Sequence, residues 1–203
     1  MTLNRKGFFG EVEHLCVVTE AMDFRQLRKA QLFPDDGEGA AVVSECGKYR
    51  YMLTRQIQPT GETLLASLLN PSTADHKIDD TTVGKLCGFA TRLGFARLLL
   101  VNLFAYRATS PNKLYIVTDP VGPFNDDAIV RAIQIAGKNV DNILVGWGTN
   151  GNFMGRGGKV VKLIKSKNRQ LYALGINRDD TPKHPLYVPY ETELIPYNPI
   201  KIN

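Results

Sequence analysis

The alternation of apolar and polar positions along the chain changes period near residue 61. Upstream, "AAVVSECGKYRYMLTRQI" alternates through Tyr49, Tyr51 and Leu53 with Gly47 near its turn, which predicts a β-hairpin. Earlier still, within residues 11–33, "MDFRQLRKAQLF" carries a mixed helical pattern that ends at "PDDGEG". After Gly61, "TLLASLL" is a nearly continuous apolar run, the pattern of a strand buried on both faces. "DDTTVGKLCGFATRLG" then reads as an amphipathic helix, with Asp79 or Asp80 as its cap and Gly94 as its stop. "ARLLLVNLF" is a second buried strand. "PFNDDAIVRAIQIAGK" is a second helix, its first turn acidic as the helix dipole favours. "NILVGWG", "GGKVVKLIKSK" and "QLYALG" supply a third strand, a third helix and a fourth strand.

The order β-α-β-α-β-α-β predicts a parallel sheet covered by helices on both faces. Ligands in such sheets bind at the carboxyl ends of the strands, near the switch in strand order. Four strand ends here carry polar or small residues: "NPSTAD", "NLFAYR", "GWGTNG" and "GINRDDTPKHP". They are expected to converge on one rim, and the long loop over 175–190 has the composition of a functional loop. Residues 41–203 read as one α/β domain, and residues 1–40 as an N-terminal extension without an assigned role.

Composition narrows the setting. The chain has 203 residues, 43% hydrophobic and 22% charged, enough for one globular core. No apolar run approaches the roughly 20 residues of a membrane span. The opening "MTLNRKGFFGEVEHLCVV" lacks the pattern of a secretory signal. Cys16, Cys46 and Cys87 lie far apart without metal-ligand spacing, and read as buried thiols in a reducing cytosol. Neither metal nor cofactor is expected. The net charge of +5 admits a polyanionic partner, but the basic residues lie in scattered groups that fit solvated helix faces better than a DNA stripe.

The candidate chemistry lies at the strand ends. Asn70 stands before Pro71, a turn opener, and is followed by the polar loop of Ser72, Thr73, Asp75 and His76. Asn102 is an amide inside "LLLVNLF", where it must find partners or cost stability. Such an amide joins a donor to an acceptor, as reading a nucleobase edge requires. His184 is a titrating group beside a predicted pocket, and Asp75 is the best placed acid to polarise a water. "GTNGNFMGRGG" matches no phosphate-loop pattern, although backbone amides there, with Arg156 and Lys159, could meet a phosphate.

Two resemblances arise from these residues. "CGKYRYMLTR", "LLNPSTAD", "DDTTVGKLCGFATRLGF", "LLLVNLFAYRAT", "DPVGPFND" and "KHPLYVP" resemble, in the same order, a bacterial and phage family of unknown function, DUF1643, over roughly residues 41 to 190. The succession is also similar to the uracil-DNA glycosylase superfamily. That likeness implies a three-layer α/β/α sandwich with a mostly parallel four-stranded central sheet, to which the hairpin is an N-terminal extension. It rests on Asn70-Pro71 after the first strand, Asn102 after the leucines of the second, Trp147-Gly148 at the third, and His184-Pro185 after the last. Four departures stand out. Asn70 replaces the stronger acid, and the aromatic residue of the classical members is missing, with Ser72 nearby. No Ser-Pro-Leu follows His184-Pro185, and the loop "GINRDDT" separates His184 from the last strand by more than the likeness implies.

The superfamily likeness implies roles. Asn70 orients water with Asp75 assisting, His184 stabilises the departing base, and Asn102 reads its edge. Pro71, Ser72, Trp147, Arg107 and Arg156 complete the expected ligand contacts. The implied partner is a nucleobase or nucleotide, in DNA or free, and the reaction is hydrolysis of an N-glycosidic bond. Asn70 in place of an acid keeps a noncatalytic nucleotide-binding or sequestering protein, acting in phage–host conflict, as the alternative. A structural module retaining the fold is the third class. The expected location is the cytoplasm, with no membrane partner.

Overall fold

The computed structural model describes residues 15–18, 39–137 and 142–199. Eight strands and three α-helices occur among them. The strands are β1 (Leu15–Val18), β2 (Ala41–Ser44), β3 (Arg50–Gln56), β4 (Thr63–Leu68), β5 (Arg97–Asn102), β6 (Asn142–Val145), β7 (Gln170–Ala173) and β8 (Ile195–Pro196). The helices are α1 (Thr81–Arg92), α2 (Asn125–Ala136) and α3 (Arg156–Lys165). All strands join one sheet in the order β1-β2-β3-β5-β4-β6-β7-β8.

β5, β4, β6 and β7 are mutually parallel, and they form the middle of the sheet. β3 runs antiparallel to β5, and β8 antiparallel to β7. The four-stranded sheet expected from the sequence is therefore the centre of an eight-stranded one. The hairpin β2–β3 is no appendage, because it extends that sheet. Burial explains why: every residue from Arg50 to Arg55 is buried, so β3 needs a neighbour along its edge as well as cover on its faces. A bulge opposite Val42 and Val43 sets both Tyr51 and Met52 in the same core. β8 closes the far edge, and Pro196 suits an edge because it has no N–H to offer.

Two cores flank the sheet. Ala128, Ile129, Ala132 and Ile133 of α2 and Val160, Val161 and Ile164 of α3 pack with Leu65, Leu99, Val101 and Ile143. On the opposite face, Val83, Leu86, Phe89 and Ala90 of α1 pack with Leu64, Ala66, Leu98, Leu100 and Leu144. Alternate residues of β4 and β5 thus serve opposite cores, as the period-2 pleat requires. Asp80 caps α1, its Oδ1 accepting the Val83 N–H at 2.9 Å, and Gly94 follows the helix at a φ of 80°.

The helical pattern expected within residues 11–33 lies outside the described residues, except that Leu15–Val18 form a strand parallel to β2. Two cysteines depart from the expected burial. Cys46 is exposed in the hairpin turn, and Cys87 is partly buried beside the apolar stripe of α1. Among the described residues no helix is long and apolar enough to cross a membrane.

Candidate functional site

The order of the parallel strands creates the site. From β4 the chain moves to β5 by way of α1, then crosses back past β4 to reach β6 by way of α2. The loops after β4 and β6 therefore leave toward opposite faces, and a crevice opens at their carboxyl ends. A cavity of about 550 Å³ occupies this crevice. Leu69, Asn70 and Ser72 enter it from β4, Trp147, Gly148 and Asn150 from beyond β6, and Lys183 and His184 from the loop after β7. Ala108 and Thr109 join them because the chain after β5 keeps running alongside β4: Leu103, Phe104 and Ala108 donate their N–H groups to the carbonyls of Leu68, Leu69 and Pro71.

Asn70 is held by its own amide. Its Nδ2 donates to the carbonyls of Pro71 at 2.9 Å and Ala108 at 2.8 Å. Both amide hydrogens are thereby spent on backbone, so the group left for the cavity is the acceptor Oδ1. The loop beyond is fastened from beneath by two arginines of β3. Arg50 donates to the Ala74 carbonyl at 2.6 Å; Arg55 donates to the Asp75 carbonyl at 2.6 Å and pairs with Asp79 at 2.7 Å. Burial pulls the Arg50 guanidinium down to about 10, with the charge of Asp80 opposing that fall.

His184 is set by close packing as well as by hydrogen bonds. A Cβ at Gly146 would lie 2.7 Å from the Pro185 ring, so only glycine lets the His184-Pro185 segment seat on the end of β6. The Leu186 N–H donates to His184 Nδ1 at 3.3 Å. This fixes Nδ1 as an acceptor and leaves the proton of the neutral ring on Nε2. Burial lowers the His184 pKa below its ordinary value, against a smaller opposing pull from Asp80. At neutral pH the ring is an uncharged donor. The exposed Tyr187 stands beside it, with ring centroids 5.8 Å apart. Trp147 is buried except where it lines the cavity; it packs edge-on against Tyr197, and a Cβ at Gly151 would collide with its indole.

Several expected residues lie elsewhere. Asn102 is 1% exposed, does not line the cavity, and has no partner for either amide atom. It pairs across the sheet with Leu68, two residues before Asn70. The Asp75 carboxylate accepts the N–H groups of Lys77 and Ile78 and shapes its own loop. Burial would raise its pKa, but those two bonds together with the charges of His76 and Arg107 hold it below the usual carboxylate range. Arg156 is buried, donating to the Leu103 carbonyl at 2.7 Å and paired with Asp126, so it ties α3 to α2 and the end of β5. Pro71 is buried behind Asn70, and Arg107 faces a neighbouring recess. Thr82, Lys183 and Tyr187 line the cavity without having been singled out for it. Tyr187 had a sequence signal, its place three residues after His184 in "KHPLYVP".

The wall contains Lys183 and His184 but neither aspartate nor glutamate. Thr82 brings the first turn of α1, whose dipole is offset by the capping carboxylate of Asp80. The cavity thus suits a polar, electron-rich or anionic guest. Among the described residues no group of three histidine, cysteine or acidic side chains gathers to hold a metal.

No curated protein and no solved structure matches this chain. The family model for proteins of unknown function DUF1643 matches residues 50–186, a span holding β3 to β7, the three helices and every cavity residue named above except Tyr187. The chain is a member of the DUF1643 family.

Proposed function

We propose that the cavity receives a nucleobase, free or carried by a nucleotide or DNA strand, and that the protein hydrolyses the N-glycosidic bond joining that base to its sugar. The observation that carries this reading is that one cavity is lined by both a donor residue and an acceptor residue. His184 Nε2 is left as a donor by the Leu186 bond, and Asn70 Oδ1 is left as an acceptor by two backbone bonds. Breaking the bond places negative charge on the departing base and positive charge on the sugar. A fixed neutral imidazole donates to the base oxygen as charge develops there, where preorganised donors act most strongly. Asn70 Oδ1 holds the water that meets the sugar cation. An amide oxygen is too weak a base to remove a proton early, so the water attacks after the bond to the base is largely broken, and the proton it loses ends on the departed base anion.

The likeness to the uracil-DNA glycosylase superfamily supports the same reading. Of the residues on which it rests, Asn70, Trp147, Gly148 and His184 line one cavity. Asn102 departs from it: the side chain is buried and does not line the cavity, although neither of its amide atoms has a partner.

A second reading, binding without cleavage, is favoured by one observation: no carboxylate lines the cavity, and Asp75 is engaged by its own loop. One experiment separates the two. Oligonucleotides carrying uracil, mismatched and modified bases, single- and double-stranded, are incubated with wild type and Asn70→Ala and then treated with alkali. Strand breaks from wild type alone support the glycosylase. Their absence on every substrate, with a free base or nucleotide bound, supports the binding protein.

A further inference from the structure

A second recess, of about 390 Å³, adjoins the cavity through Ser72, Ala108 and Thr109, which line both. Its walls come from four segments, and its cations from three of them. The hairpin turn supplies Lys48, the chain after β5 supplies Arg107, and the 3-10 helix Pro111–Tyr115 supplies Lys113. Hydroxyls of Ser72, Thr73 and Thr109 stand among these cations, and no acidic side chain lines the recess. The hairpin is pinned in place: Arg107 donates its N–H to the Lys48 carbonyl at 2.9 Å, and Tyr49 bridges Tyr106 in antiparallel fashion.

None of the three cations forms an ion pair among the described residues. Asp75, whose carboxylate feels Arg107, has its Oδ1 committed to two backbone N–H groups. Three like charges lining one recess, with only Asp75 near enough to act on one of them, repel one another, and a bound anion offsets that repulsion. Guanidinium, ammonium and hydroxyl donors around one recess match the oxygens of a phosphate ester. We propose that this recess binds the phosphate attached to the nucleoside whose base enters the cavity. The inference rests on the nucleobase reading above, and it assigns the hairpin a role in ligand binding.

The test uses the full chain and four kinds of probe: the common nucleosides, their 5′-monophosphates, short single strands, and an abasic strand that carries phosphates without bases. A monophosphate is expected to bind about 10–100-fold tighter than its nucleoside, the gain of one or two charge-assisted contacts. The double variant Lys48→Gln/Arg107→Gln is expected to erase that gain and leave nucleoside affinity within about twofold. Lys113→Gln, at an exposed position, repeats the test if the double variant unfolds. A monophosphate that shows the whole gain identifies a free nucleotide; further, salt-dependent tightening on strands identifies a polymer. Equal binding of nucleoside and monophosphate, or a gain that survives the variants, overturns the recess and leaves the nucleobase reading standing. Binding of the abasic strand that the variants abolish, with no nucleoside bound, supports the recess and overturns the nucleobase reading. Failure of every phosphate-bearing probe overturns the recess.

Discussion

Asn70 and Ala108 lock one another in place: the Asn70 amide donates to the Ala108 carbonyl at 2.8 Å, while the Ala108 N–H donates at 2.8 Å to the carbonyl of Pro71, the residue after Asn70. The amide is therefore a structural clamp as well as a cavity group. This bears on what an acid would do in its place.

Asn70→Asp would set a carboxylate against the carbonyls of Pro71 and Ala108 after removing the two donors they now receive. Destabilisation of about 1–3 kcal/mol is expected, the cost of leaving the buried Ala108 carbonyl unsatisfied, while the Pro71 carbonyl keeps the Ala108 N–H. Urea unfolding measures it, and a strand-cleavage assay shows whether the new acid adds activity. Unchanged stability together with faster cleavage would mean that the amide bonds contribute nothing and that the position simply lacks a base.

His184 should titrate below its ordinary value of about 6.5, because burial opposes the charged ring more than Asp80 favours it. The sign follows from linkage. Between the lowered folded pKa and about 6.5, the unfolded chain binds a proton that the folded chain does not, so stability falls as pH drops through this window. Above it, stability from this group is constant. Proton and nitrogen NMR of the imidazole should show the Nε2–H tautomer at neutral pH and its loss on acidification. A ring protonated on Nδ1 at neutral pH would contradict the Leu186 bond and remove the donor on which the mechanism relies. In the glycosylase reading, His184→Ala lowers the cleavage rate by about 2.7–4 kcal/mol of barrier, the scale of a lost oxyanion donor.

Gly146→Ala tests how that histidine is positioned. The added methyl would meet the Pro185 ring at 2.7 Å and Leu68 Cδ2 at 3.2 Å, so overpacking of about 1–3 kcal/mol is expected. If Pro185 gives way, His184 moves with it and ligand affinity falls. Pairing the substitution with Pro185→Ala should recover much of the lost stability, a coupling that a double-mutant cycle reads directly. Independent, additive effects would show that the contact does not set the loop.

What could be read in advance follows physical lines. β4 and β5 were legible because burial on both faces writes an uninterrupted apolar run. The positions of Asn70, Ser72, Trp147 and His184 followed from the rule that parallel sheets bind at their carboxyl ends. Sheet membership of the hairpin was not legible, because the hydrogen bonds from β3 to β5 leave no local period in either segment. Arg50 and Arg55 carry no local signal for the same reason: their loop partners, backbone carbonyls and the Asp79 carboxylate, lie 20 or more residues away. Arg156 misled through its neighbours. It sits in a lysine-rich segment that reads as a solvated face, yet its own guanidinium is buried against Leu103 and Asp126.

Asn102 gives the strongest discrimination between a structural and a ligand role. Both of its amide atoms are buried without partners, an arrangement costing about 1–3 kcal/mol that folding alone does not repay. Asn102→Leu removes both polar atoms and keeps nearly the same shape, so it is expected to raise stability by a similar amount in denaturant unfolding. A protein that keeps a destabilising amide needs a use for it. Under the nucleobase reading, the variant therefore gains stability and loses discrimination between bases. Lower stability would show instead that the amide is hydrogen-bonded in the folded protein in solution. Higher stability with unchanged ligand preference would free Asn102 from any role in recognition and leave the base to Asn70 and His184.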